Sequence, residues 1–291
     1  MSPRPFPLPV VGLGPGSQAE ENDLTYMPLP REVESYTPPA LPDSGEACRL
    51  TAALAIIDQL IAALGSYRGD PEAYPQVDLG ALDAANRQLI NQLLGEGEVS
   101  ARVLRRDGHL LDIQESVFAG VWRVLEYDGD DRLCGDRIEA CPVPAAVWRE
   151  ARAFGRPTLD LATAPQPGGL MNAAPVASEI AAQMGKAGET AHVINFSLLP
   201  MNPDDLNWLE NLLGPGNSGV FSRGYGKCRI MSTSLANVWR VQYFNGMNGI
   251  LLDTVEIVRI PEVALASADD LADSLERLVE ARGWLAGETT Q

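Results

Sequence analysis

A four-residue block occurs twice, far apart, in this chain. Val121-Trp122-Arg123-Val124 recurs as Val238-Trp239-Arg240-Val241, 117 residues on. Leu93-Leu94-Gly95 recurs as Leu212-Leu213-Gly214 at an offset of 119. Cys141-Pro142-Val143 aligns with Ile260-Pro261-Glu262 at that same offset, with the proline shared. Three matches in order at a near-constant offset mean two copies of one folding unit. The copies run near 46–155 and 168–285, with Pro165 to Gly169 as linker. The chain therefore divides into an arm at 1–45, a first repeat at 46–164 and a second at 165–291.

Each copy reads the same way. A helix opens it, Ala47 to Leu64 in the first and Pro175 to Met184 in the second, and a short extended piece follows, near Val77 and over His192 to Leu199. A second helix comes next. Asp83 is its expected N-cap in copy one, and Leu89, Ile90, Leu93 and Leu94 form a stripe that Gly95 closes. In copy two Asn202 is the cap and Pro203 takes the first helical position. Asp204 and Asp205 complement the positive helix end. Leu206, Leu209, Leu212 and Leu213 form the stripe and Gly214 ends it. Strands follow: Val99, Ala101 and Val103 alternate with polar residues before the hairpin signal Asp107-Gly108. Val117 to Tyr127, Val238 to Phe244 and Leu251 to Ile260 are rich in β-branched or aromatic residues. A last helix spans about Ser267 to Arg282. The expected class is α+β: two tandem homologous units, each a mostly antiparallel sheet packed with helices, after a proline-rich extended arm.

The arm holds ten of the 22 prolines and cannot build a core. Its Gly14-Pro15-Gly16-Ser17-Gln18 turn and Tyr26-Met27-Pro28 suit an extended segment that wraps a partner or the folded body. Lys plus Arg is 22 against 39 Asp plus Glu, a net charge of −17. That argues against nucleic-acid or anionic-membrane binding, which needs a basic face. No apolar run is long enough for a membrane span, and Met1 to Val10 has no signal-peptide core, so the expectation is a cytoplasmic protein with reduced thiols.

The duplication also serves as an internal control for chemistry. Aligned on the tryptophans, Cys228 falls opposite Leu111, so the strand framework does not demand a cysteine there. The loop Ser222 to Arg229 puts Arg223, Lys227 and Arg229 close in sequence to that thiol, and neighbouring cations favour a thiolate. Gly224 and Gly226 permit a sharp turn or close approach to a partner. The plainer reading is a hairpin whose cysteine is a small half-buried residue. Cys134 and Cys141 lack helpers as a metal pair, Cys48 reads as core, and nothing local supports a Cys228–His192 dyad. No phosphate loop, dinucleotide fingerprint, serine elbow or zinc-protease motif is present. No catalytic group, cofactor or metal site is expected.

The sequence resembles the HupH/HyaF family of hydrogenase expression/formation proteins over nearly its whole length. The resemblance is carried by Gly14 to Gln18, by Leu94 to Val99, by Gln114 to Val124, and above all by Ser222 to Arg229 with Asn237 to Asn245. It departs from the family pattern at Lys227, Arg240 and Asn248. It implies a non-enzymatic accessory protein for maturation of uptake nickel–iron hydrogenase. The implied client is the precursor of the iron–sulfur small subunit, before export, alongside other maturation proteins. The expected contact residues are Arg223, Gly224, Tyr225, Gly226, Cys228 and Arg229, with Gly14, Gly16 and Gln18 of the arm. The alternative is a thiol-based redox or iron–sulfur-handling protein acting through Cys228. A cluster held by this chain alone would need about four convergent thiolates, and the four cysteines show no such spacing.

Overall fold

The computed structural model describes residues 48–162, 164, 167–188, 190–223 and 226–287. The expected arm, with Gly14, Gly16 and Gln18, lies outside these residues, as do Gly224 and Tyr225. In chain order the elements are α1 (Thr51–Ser66), β1 (Gln76–Asp78), α2 (Ala84–Leu94), β2 (Val99–Leu104), β3 (Leu110–Glu115), β4 (Val121–Tyr127), β5 (Leu133–Ala140) and α3 (Ala146–Phe154). The second repeat continues with α4 (Ala173–Met184), β6 (His192–Asn195), α5 (Pro203–Leu213), β7 (Pro215–Ser222), β8 (Cys228–Thr233), β9 (Val238–Phe244), β10 (Ile250–Ile257) and α6 (Ala268–Leu285). The α+β expectation holds.

The strands of each repeat follow one topology. In the first the order is β1-β5-β4-β3-β2, and in the second β6-β10-β9-β8-β7. Each is an antiparallel meander whose last strand takes the short early strand on its far side. The tryptophan of each repeated block is buried at the same place. Trp122 Nε1 donates to Cys141 O at 2.9 Å, and Trp239 Nε1 to Val258 O at 3.2 Å. The next residue makes a bidentate ion pair across to the last strand, which fixes register as well as charge. Arg123 pairs with Asp136, and Arg240 with Asp253 at 2.8–3.0 Å.

Helix capping is shared too. Asp83 accepts from Asn86 N, and Asn86 Oδ1 in turn accepts from Ala53 N in the first turn of α1 at 2.9 Å. In the second repeat Asn202 and Asp205 form a capping box on α5. Asp205, fully buried, also accepts from Met171, Asn172 and Ala173 N at the start of α4. One residue in the first turn of the second helix thus satisfies the orphan amides of the first helix in both repeats.

The compact units of the structure cut the chain differently from the repeats. Among described residues one unit comprises 48–147 with 263–287, and the other 148–262. Helix α6 follows the last strand of the second repeat yet packs with the first. Its Leu278 and Leu285 join the core of α1 and α2, and Ser274 Oγ donates to Ala119 O at 2.9 Å. The segment after β5 does the reverse. Arg156 exchanges backbone hydrogen bonds with Ser234 O and Ala236 N, both 2.9 Å, and Gly155 lies so close to Ala236 that a Cβ would clash. Ala119 and Ala236 are equivalent positions, so the same loop in each repeat receives the other repeat's terminal segment.

Some boundaries differ from expectation. Val117 to Gly120 are not strand: Ser116 Oγ accepts from Phe118 N and donates to Phe118 O, making a tight turn with Gly120 at φ 75°. The second strand expected through Ile260 ends at Ile257. Cys48 is exposed ahead of α1 rather than core, because the helix starts only at Thr51. No helix among the described residues is long and apolar enough to cross a membrane.

Candidate functional site

The loop singled out by sequence joins β7 to β8, and Ser222 pairs with Cys228 across its base. Gly226 has φ 89°, the left-handed region where glycine is favoured. Lys227 Nζ donates to Asn248 Oδ1 at 3.1 Å, tying this hairpin to the β9–β10 turn. That turn is built on Asn245, whose Oδ1 accepts from Met247 N and Gly249 N at 2.9 and 2.8 Å. Met247 at its tip is 89% exposed. The guanidinium of Arg229 stacks on the Phe244 ring at 5.2 Å. Arg223 Nε and Nη2 are buried and make no hydrogen bond among the described residues.

Cys228 behaves opposite to the expectation of an activated thiolate. It is 5% exposed, and burial pushes its thiol up to about 11, with the Tyr243 hydrogen bond opposing and the Glu256 carboxylate adding. Successive strand residues face opposite sides of a sheet, so a cation next in sequence is not next in space. Arg229 lies over Phe244 while Cys228 meets Tyr243, the residue paired with it on β9. Tyr243 is itself pushed up to about 12, mainly by burial and then by the thiol. Burial thus works against ionisation of both groups, which weakens the case for an activated thiolate at Cys228.

The corresponding end of the first repeat holds groups that the sequence reading left apart. His109 sits at the end of the β2–β3 hairpin, Glu126 near the end of β4 and Cys134 near the start of β5. One donor atom from each lies within 4.8 Å of the others. In the sequence His109 stands beside the turn signal Asp107-Gly108, and Cys134 has no ligand helper near it. The missing partner, Glu126, becomes visible only once strand register is known.

These features define a duplicated α+β protein whose two repeats share an interior plan and differ at their hairpin ends. The chain belongs to the HupH hydrogenase expression protein family: the model of that protein's C-terminal conserved region matches residues 50–161 and 170–285. The two matched stretches coincide with the two copies of the repeat. A relative named hydrogenase expression/formation protein HoxQ, from Cupriavidus necator, is 44% identical over 283 residues, covering 96% of this chain and 98% of its own. The hydrogenase-1 operon protein HyaF of Escherichia coli is 36% identical over 274 residues, covering 94% and 95%. A solved chain described as the hydrogenase expression protein HupH from Thiobacillus denitrificans is 28% identical, covers 38% of this chain and 93% of its own, and has a TM-score of 0.34.

Proposed function

We propose that this chain is a non-catalytic accessory protein in hydrogenase maturation, acting in the cytoplasm. It holds the precursor of the iron–sulfur small subunit before export. The observation that carries the reading is the match to a relative named hydrogenase expression/formation protein HoxQ, 44% identical over 96% of the chain. That name speaks of expression and formation and states no reaction. The hairpin end of the second repeat is the proposed contact surface, with Arg223, Gly226 and Arg229, together with Gly224, Tyr225 and the arm residues Gly14, Gly16 and Gln18. Exposed Met247 and the Arg223 nitrogens, which find no partner among the described residues, suit a surface completed by a partner.

Pull-down of the tagged full-length protein from cells expressing the hydrogenase operon tests this. The expected capture is the uncleaved small-subunit precursor. Arg223→Ala and Met247→Asp should each lower capture by about tenfold with an unchanged melting temperature. Capture of the large subunit alone would refute the choice of client. Undiminished capture by both variants would refute the surface.

A further inference from the structure

We propose that His109, Glu126 and Cys134 form a binding site for a borderline-soft divalent metal ion of the zinc type, with one coordination position open to solvent. Two donor–donor edges are near those of a tetrahedral face, and all three donors lie within 4.8 Å of one another. His109 Nδ1 lies 3.0 Å from Glu126 Oε1, and Cys134 Sγ lies 3.9 Å from His109 Nδ1. Bonds of the usual zinc lengths would set such donors about 3.3–3.6 Å apart, so the trio needs only small side-chain adjustments. One nitrogen, one oxygen and one sulfur donor suit zinc better than magnesium or calcium, which take oxygen.

The backbone is arranged to bring the three together. Glu126 pairs with Gly135 and Tyr127 with Leu133, so Cys134 is the extra residue of a β-bulge. A bulge re-aims the side chain it carries. Gly135, opposite Glu126, presents no side chain to block the carboxylate. Arg105 Nη1 donates to Glu126 Oε1 at 2.8 Å, and Arg137 lies 3.4 Å from Oε2, which fixes the carboxylate's orientation. The charge of both arginines is shared, Arg105 with Asp107 at 3.1 Å and Arg137 with Glu139 at 2.7 Å, so the two cations do not leave the pocket positive.

The second repeat is the control. It has the same bulge, with Leu251 as the extra residue, and the positions equivalent to His109 and Glu126 are Gly226 and Tyr243. The hairpin therefore forms without any of the three donors, and a merely structural clasp is not required by the fold. On binding, the Cys134 thiol loses its proton to solvent. His109 coordinates through Nδ1 as the neutral imidazole that carries its proton on Nε2, and no electrons move.

The test uses the full-length chain stripped of metal, with Co²⁺ as probe and Zn²⁺ as competitor. One equivalent of Co²⁺ should give a thiolate charge-transfer band and intense four-coordinate visible bands, all bleached by Zn²⁺. Cys134→Ser and His109→Ala should lose the bands, while Cys48→Ser, which removes the other exposed thiol, should keep them. Independently of any variant, Zn²⁺ should slow alkylation of Cys134 by iodoacetamide at least tenfold in the wild-type protein. Absence of the bands, their survival in Cys134→Ser, or no protection of Cys134 would overturn the site.

Discussion

The hairpin ends of the two repeats carry different chemistry on the same backbone. In the first, His109, Glu126 and Cys134 converge; 117 residues on stand Gly226, Tyr243 and Leu251, the last 64% exposed. The interiors do not diverge in this way. Both keep the tryptophan, its carbonyl partner, the arginine–aspartate pair across the last strand and the cap shared between two helices. Duplication thus separates what the fold needs from what each copy was free to change. The residues that differ at the ends are the ones proposed to meet the partner and the metal ion.

The sharpest way to break this equivalence is to remove the two anchors. Trp122→Ala and Trp239→Ala should each cost about 4 kcal/mol, since each ring is 1% exposed. Urea melts should place the two losses within about 1 kcal/mol of each other. A loss confined to one tryptophan would mean that the copies are alike in sequence but not in energetics.

The next largest effect has opposite signs in the two units. Glu115 is 8% exposed and accepts from Gly120 N, yet burial, with the Asp270 and Glu98 carboxylates, pushes its carboxyl up to about 7. A folded pKa above the unfolded one means the folded state binds more protons, so stability falls as pH rises from about 4.5 to 7, by about 3 kcal/mol at most. The equivalent residue in the second repeat is Ser232, which does not titrate there. Asp205 is shifted the other way. Burial opposes its ionisation, but the amides of Asn202, Ala173, Met171 and Asn172 outweigh that and hold it below its usual value. Its contribution is present above the ordinary carboxylate range and lost as pH falls through the folded pKa. Hydrogen exchange followed from pH 3 to 7 should show the 48–147 unit loosening toward neutrality and the 148–262 unit loosening in acid. Glu115→Gln should flatten the first trend, and Asp205→Asn the second.

A smaller effect separates the thiols. Cys48 and Cys134 are exposed and Cys141 and Cys228 buried; the pKa of Cys134 is raised as well as those of the buried pair, so accessibility is what separates them. An aromatic disulfide reagent at pH 8 should titrate two thiols in the native protein and four after denaturation. Fast labelling of Cys228 would restore the activated-thiol reading.

Much of this was legible before any coordinates. The offset blocks gave two copies, Asp83 and Asn202 gave helix starts, and Asp107-Gly108 gave a hairpin, because each signal is local to a few residues. Helix α3 and strand β7 were not read. Ala146–Phe154 carries Arg149, Glu150 and Arg152 among its apolar residues, and Pro215–Ser222 opens with proline and glycine rather than β-branched residues. Asn217 of β7 donates to Glu150 O of α3 at 3.4 Å, a contact that no local pattern announces. The same limit explains the site. Cys228 was judged by its neighbours in sequence, which a strand turns to the other face. The His109–Glu126–Cys134 trio spans three strands and depends on a bulge that no local pattern announces.

The exchange of terminal segments has a consequence for the order in which a ribosome can deliver a finished protein. The unit of residues 148–262 has all of its chain once Glu262 has emerged. The unit built on the first repeat, although made earlier, must wait for α6 to cover Phe118, Leu89 and the apolar face of α1. At ordinary synthesis rates the stretch from 148 to 285 takes roughly 7–28 s, during which that core stands open. The half translated first is thus the half completed last, and a nascent chain halted between the repeats would leave α1 and Phe118 without the helix that packs on them.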